Sequence, residues 1–286
     1  MDIRERNYAI YQTAFDYLCK HAQGMTDDIL TEYLYNPQKN NLDEAFGVVV
    51  SSAVDWHKPK ARRIAYWDKS RSKIIEEVVG NHSISYVQNT FKNDPNSLYS
   101  AFKDKLSLDN SQFTTDVWLS YANCICGMAQ YLSKFNNAEE MYAYFDTFKT
   151  SKDKIKLINE ISRRSHIIKT KYGWGFALTA NWLKDIGMQD FCKPDIQVTN
   201  CLNSLELCSR TDTVVFKTLV TIAEDAKEYD KTASAFKLDR ILWLIGSHEF
   251  YNHPEIVWDG SIEEFVSELK QKIKKKIRSF AVDGPF

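Results

Sequence analysis

Between Tyr172 and Asp195 the chain runs through a Gly173-Trp174-Gly175 turn, an apolar helical run, and a Lys193-Pro194-Asp195 step into a further segment. The two glycines permit positive φ and close backbone approach, so a tight turn is expected there rather than a continued helix. Upstream, residues 159–171 carry a helical pattern with Ile161, Ile167 and Ile168 as expected buried positions. Downstream, Phe176 to Ile186 reads as a second helix that Gly187 stops. The unit is therefore helix, tight turn, helix. The start of the second helix carries backbone amides without internal partners, and such an end attracts anions. Pro194 has the fixed φ suited to a helix start, which places Asp195 in the first turn of another helix through Val198 and Leu202. A carboxylate there is favoured in its ionised form; its plainer alternative role is to satisfy backbone amides as a cap.

Helical patterns dominate the rest of the chain. Tyr8, Tyr11, Phe15 and Leu18 form a stripe at three- and four-residue spacing within a helix expected over residues 3–22, and Thr26 is placed to cap another running to Tyr35. Leu42 to Val54 is strongly apolar, and its valine run fits either a helix or a buried strand by propensity alone. Residues 80–112 are broken by Gly80, Asn89, Asn93 to Asn96 and Asp109 to Ser111, which predicts turns between short apolar segments and a mobile or substrate-facing insertion. Helices are also expected over Trp118 to Leu132, Leu238 to Ile245 and Ile262 to Ile277.

A chain of 286 residues can bury a substantial core in one or two domains. No N-terminal apolar region or long uncharged span occurs, so neither a secretory signal nor a membrane partner is expected, and the location implied is cytoplasmic. Six cysteines then read as free thiols. Cys124 and Cys126 alternate instead of forming a two-residue-spaced pair, and Cys192, Cys201 and Cys208 have no common zinc spacing, so no metal is expected. His248, Glu249 and His253 approach a metalloprotease motif with the second histidine one residue too far, which favours a surface turn before Pro254.

The formal net charge is −1, which argues against general affinity for nucleic acid, but the distribution is uneven. Residues 58–73 hold seven basic residues against Asp68, and residues 149–171 hold eight against Asp153 and Glu160. Each run by itself reads as a solvated helix face. Lys270 to Arg278 adds six basic residues, again read as a solvated helix.

One run follows an apolar segment, Phe46 to Ala53, that leads through Asp55-Trp56-His57 into the basic stretch Lys58 to Ile64; the other flanks the Gly-Trp-Gly turn. In this order, the two segments together resemble the helix-hairpin-helix DNA glycosylases, the superfamily of endonuclease III and the bacterial 3-methyladenine glycosylases. The resemblance decides for a helix at Leu42 to Val54. It implies an all-α fold of two interleaved helical subdomains with a central cleft: residues 1–45 and 205–286 in one, residues 46–204 in the other, with the hairpin at 159–187 and Asp195 in the latter. It also implies a partner, double-stranded DNA holding a damaged or modified base, with no protein partner and no cofactor expected.

Asp195 matches the family's essential aspartate, and Ala177 stands eighteen residues before it, where lyase members carry a nucleophilic lysine. The implied activity is therefore a monofunctional DNA glycosylase; the alternative is a noncatalytic helix-hairpin-helix DNA-binding protein. The expected DNA contacts are Tyr172, Gly173, Trp174, Gly175, Lys169, Lys171, Lys58 and Lys60, and the expected base pocket is Trp56, His57 and Trp182, with Trp174 and His166 as further candidates beside the nucleotide. The chain departs from the pattern in lacking a proline before the hairpin and in placing Val54 or Asp55 where many members have a glutamine. No cysteine follows Cys208, which excludes the four-cysteine iron–sulfur cluster of endonuclease III relatives.

Overall fold

A computed structural model describes residues 2–35, 38–55, 69–107, 115–169 and 174–282. From the N-terminus the elements are α1 (Ile3–His21), β1 (Ala22–Gln23), α2 (Asp27–Leu34), α3 (Leu42–Asp55), α4 (Lys69–Val78), α5 (Ile84–Phe91) and α6 (Pro95–Lys105). They continue as α7 (Thr115–Leu132), α8 (Ala138–Phe145), α9 (Ser151–Arg164), α10 (Phe176–Asp185) and α11 (Ile196–Ser204). The last are α12 (Asp212–Ala226), α13 (Ala235–Ser247), β2 (Val257–Trp258) and α14 (Ile262–Val282). The all-α expectation holds, apart from a two-residue antiparallel pairing of Ala22 with Trp258 and Gln23 with Val257.

The chain divides into a discontinuous unit, Met1–Pro37 with Gly187–Phe286, and a continuous one, Gln38–Ile186. This division departs from the expected boundaries. The hairpin lies in the continuous unit, but Asp195 lies in the discontinuous one, because α11 packs on α13 and α14. The close contact of α11 with α13 is made at Gly246, where a methyl group would press on Gln197 and Cys201.

In the continuous unit α7 is the central helix. Its residues Trp118, Tyr121, Ala122, Ile125, Met128, Ala129 and Leu132 are buried around the helix, and α3, α5, α6 and α9 pack on it. A helix apolar on every side can be stable only when enclosed in this way. Residues 80–107 correct the expected insertion. The turn chemistry is present, with Asn81, His82, Lys92 and Asn93 at positive φ, but between these turns stand α5 and α6, capped by Ser83 and Asp94. Leu98 and Phe102 on α6 are fully buried against α7, so the segment is part of the core. The part of the expected insertion over 108–112 lies outside the described residues.

In the discontinuous unit α13 contacts α1, α2, α11 and α12, and α1 also packs on α12 and α14. The α1 helix begins with a reciprocal cap in which Asp2 accepts from the Glu5 amide while Glu5 accepts from the Asp2 amide. Its buried face centres on Ile10, Ala14, Tyr17 and Leu18 with Tyr11, while Tyr8 and Phe15 of the expected stripe sit at its margin. Among the described residues no helix is long and apolar enough to cross a membrane, and no cluster of histidine, cysteine or acidic side chains could hold a metal ion.

Candidate functional site

The first helix of the hairpin is α9, and it starts and stops earlier than the sequence pattern suggests. Thr150 caps it by accepting from the Asp153 amide, and it ends at Arg164. Ile161 is buried as expected, but Ile167 and Ile168 lie beyond the helix end, with Ile167 exposed and Ile168 half-buried. Residues 165–169 form an irregular turn instead.

That turn is held from α7. Asn123 is completely buried; its Oδ1 accepts from the amides of Ile167 at 2.7 Å and Ile168 at 2.9 Å, and its Nδ2 donates to the Ile168 carbonyl at 2.8 Å. Nδ2 also lies 3.2 Å from Nδ1 of His166, whose Nε2 lies 3.3 Å from the Trp174 carbonyl across the hairpin. Gly127, one turn further along α7, lets that helix approach the backbone of Ser165 so closely that any Cβ there would collide with the carbonyl group. His166, a further candidate beside the nucleotide, is half-buried and bridges α7 to the hairpin. Sequence reasoning misses Asn123, whose only signal is an amide within an apolar helical run.

At the far side of the turn Trp174 is buried, and its indole N–H has no hydrogen-bond partner among the described residues. Gly175 is exposed and is the N-cap of α10, with no side-chain capping bond. Its φ of −90° is an ordinary extended value and the space where a Cβ would stand is open, so glycine is not required here by strain or by close packing. Glycine supplies no side-chain oxygen to the helix start. Gly187, with φ +100°, ends the helix as expected. Ala177 occupies the first turn of α10, and Lys184 is buried in the last.

Trp182, an expected base-pocket residue, is fully buried: its indole N–H donates to the Ala45 carbonyl at 2.9 Å and its ring meets Phe145 edge-on. It fastens α10 to α3 and presents no surface to a nucleobase. Lys169 is exposed on the turn, as is Arg163 at the end of α9. The other expected residues, Trp56, His57, Lys58, Lys60, Lys171, Tyr172 and Gly173, lie outside the described residues.

In the other unit Asp195 is the N-cap of α11, one position earlier than a first-turn residue. Its Oδ1 accepts from the amides of Gln197 and Val198, each at 3.0 Å. Pro194 before it is buried, and the Lys193 amide donates to the buried carboxylate of Asp239 on α13 at 3.0 Å. The Asp195 charge and, more strongly, burial push the Cys201 thiol up to about 12, so that sulfur is neutral and no nucleophile. Burial likewise holds the Cys124 and Cys126 thiols neutral.

No family model matches the chain, and neither a curated protein nor a solved structure matches it.

Proposed function

We propose that this chain is a monofunctional DNA glycosylase that hydrolyses the N-glycosidic bond of a base turned out of the duplex and leaves an abasic site. The reading is carried by the start of α10, where the exposed Gly175 N-cap makes no side-chain capping bond, together with the Asn123 bonds from α7 to Ile167 and Ile168 of the preceding turn. A phosphate group is the ligand such an end accepts, with backbone amides as donors and the helix dipole favouring its charge. Phosphate contacts of this kind set the register of the duplex without reading its sequence. Lys169, exposed on the turn that α7 holds, is the proposed cation for the same backbone.

Asp195 is the proposed catalytic carboxylate. As the base departs, positive charge develops on the sugar; an ionised carboxylate stabilises that charge and orients or deprotonates the attacking water. Both capping bonds use Oδ1. Ala177 cannot form an imine with the abasic sugar, so no lysine-dependent strand cleavage follows.

The test is release of free nucleobases, followed by mass spectrometry, from duplexes carrying alkylated, oxidised or bulky modified bases. Base release without a borohydride-trappable adduct supports the reading; a trapped adduct overturns its monofunctional part. The cap bonds of Asp195 also favour a second reading, a noncatalytic DNA-binding hairpin protein in which this residue only starts a helix. Asp195→Asn decides between them, because asparagine caps a helix as well as aspartate does. Retained DNA binding with lost base release favours the enzyme; a wild-type chain that binds duplex and releases no base from any of these substrates favours the module.

A further inference from the structure

We infer that Asn123 and His166 are positioning residues that fix the hairpin turn and so set the affinity of the α10 start for DNA, an inference that rests on the proposed function. The amide of Asn123 has two acceptor positions and two donor hydrogens, and all four are spent on one turn: two backbone amides, one carbonyl and one imidazole nitrogen. Packing alone asks nothing of this kind from α7, whose neighbouring buried positions are Ala122, Cys124, Ile125 and Cys126. A buried polar group in an apolar core is costly unless every bond is made. Here every bond is made, and every one ends on residues 166–168.

The bonding pattern also fixes the state of His166. Because the Asn123 oxygen is occupied by two backbone amides, its nitrogen must face His166, and Nδ1 of the ring must accept. The proton then sits on Nε2, which donates to the Trp174 carbonyl. The neutral imidazole thereby links α7 to both sides of the hairpin. A second proton would put an N–H at Nδ1 against the N–H of Asn123 and break that link. Burial disfavours that proton as well, while the Trp174 carbonyl favours it. The ionisable side chains nearest in the chain, Arg163, Arg164 and Lys169, are exposed, and on α7 Cys124 and Cys126 are neutral.

The experiment pairs two readouts on the full chain and on the variants Asn123→Asp and His166→Phe. Deuterium uptake by peptides covering residues 165–175 reports the turn without any DNA, after correction for the intrinsic pH dependence of exchange. Fluorescence anisotropy with a labelled duplex carrying a tetrahydrofuran abasic analogue reports affinity. In the wild-type chain the turn should loosen, and affinity fall about tenfold, as pH drops from 7.5 to 5.5, the loss of roughly one hydrogen bond's worth of restraint. His166→Phe should remove the pH step in both readouts. Asn123→Asp should invert it, because a carboxylate at 123 welcomes the imidazolium that the amide repels.

Turn uptake in both variants that matches wild type at every pH overturns the inference, and so does unchanged DNA affinity where uptake has risen. Should Asn123→Asp not fold, the wild-type pH profile against His166→Phe decides alone. A wild-type chain that does not retain the duplex overturns the proposed function and with it the DNA half of the inference, while the exchange data still decide whether the pair holds the turn.

Discussion

Gly175 and Asp195 begin helices with nearly the same backbone, φ −90° and ψ −172° at the first against φ −88° and ψ 177° at the second, yet only Asp195 supplies a capping oxygen. Gly175→Asp should therefore form a ready-made cap on α10. The open space at that position accepts the side chain, and the new carboxylate meets the positive end of the helix dipole. The expected outcome is a gain of about 0.3–1 kcal/mol in unfolding free energy by urea titration, together with a loss of duplex binding. A variant that is both more stable and equally able to bind DNA would remove the α10 start from the interface.

Asp195 separates cap from charge in the opposite way. Asp195→Asn should leave the urea midpoint within a few tenths of a kcal/mol equivalent, whereas Asp195→Ala should cost about 1 kcal/mol through lost capping of the Gln197 and Val198 amides. If base release is lost in both variants, the loss follows the charge and not the stability. Equal destabilisation by the two substitutions would mean that something besides the cap bonds holds the helix start.

The approach to Asp195 is set by Asp239, whose buried carboxylate accepts the Lys193 amide. Asp239→Ala leaves a buried N–H without its acceptor and should destabilise the chain by about 1–3 kcal/mol. Asp239→Asn keeps an acceptor oxygen and should cost less. Unfolding curves for the two variants, with unchanged slope on denaturant, check the order; a smaller cost for alanine would sink the account.

These relationships mark how far the sequence could be read. Helices with a cap residue and a regular apolar face were legible: Thr26 caps α2, and the apolar run after Trp118 continues to Leu132 as expected. The end of α9 was not, because Ile167 and Ile168 continue its apolar pattern while Asn123, 44 and 45 residues upstream of them, captures their amides for the turn. Long-range side-chain bonds of that kind leave no periodic trace. Residues 80–105 were misjudged for the reverse reason: turn residues are dense there, and the short helices α5 and α6 between them owe their stability to burial on α7. Trp182 was legible as an aromatic but not as a core residue bonded to Ala45.

Gly127 carries a close approach of α7 to the Ser165 backbone. Gly127→Ala places a methyl group against the Ser165 backbone, which has no rotamer by which to retreat. A cost of about 1–3 kcal/mol is expected, as for other overpacked sites, despite the better helix propensity of alanine. Deuterium uptake should rise at residues 165–175 before it rises in α7. Stabilisation by this substitution, measured by thermal unfolding, would show that the contact yields freely.

Two histidines should respond to pH in opposite directions. His253 bonds Glu32 through Nε2 at 2.8 Å and Glu255 through Nδ1 at 2.9 Å; these bonds raise its pKa and lower that of Glu32, while Glu255 is lowered first by its own backbone amide and then by His253. Its contribution is therefore complete below the ordinary imidazole value of about 6.5 and fades as pH rises through the raised one. The carboxylates set the acid limit: theirs is complete above the ordinary glutamate value and fades as pH falls through the lowered ones. His166 has its pKa lowered by burial, so its contribution is complete above about 6.5 and is lost as pH falls toward the lowered value. Between pH 5.5 and 7.5, exchange corrected for intrinsic rates should accelerate with rising pH in residues 27–35 and 250–256, and slow in residues 165–175. Added salt should blunt the first response, which is at the surface, more than the second, which is half-buried. If both segments drift in the same direction, the pH response belongs to the global stability of the chain and not to these two rings.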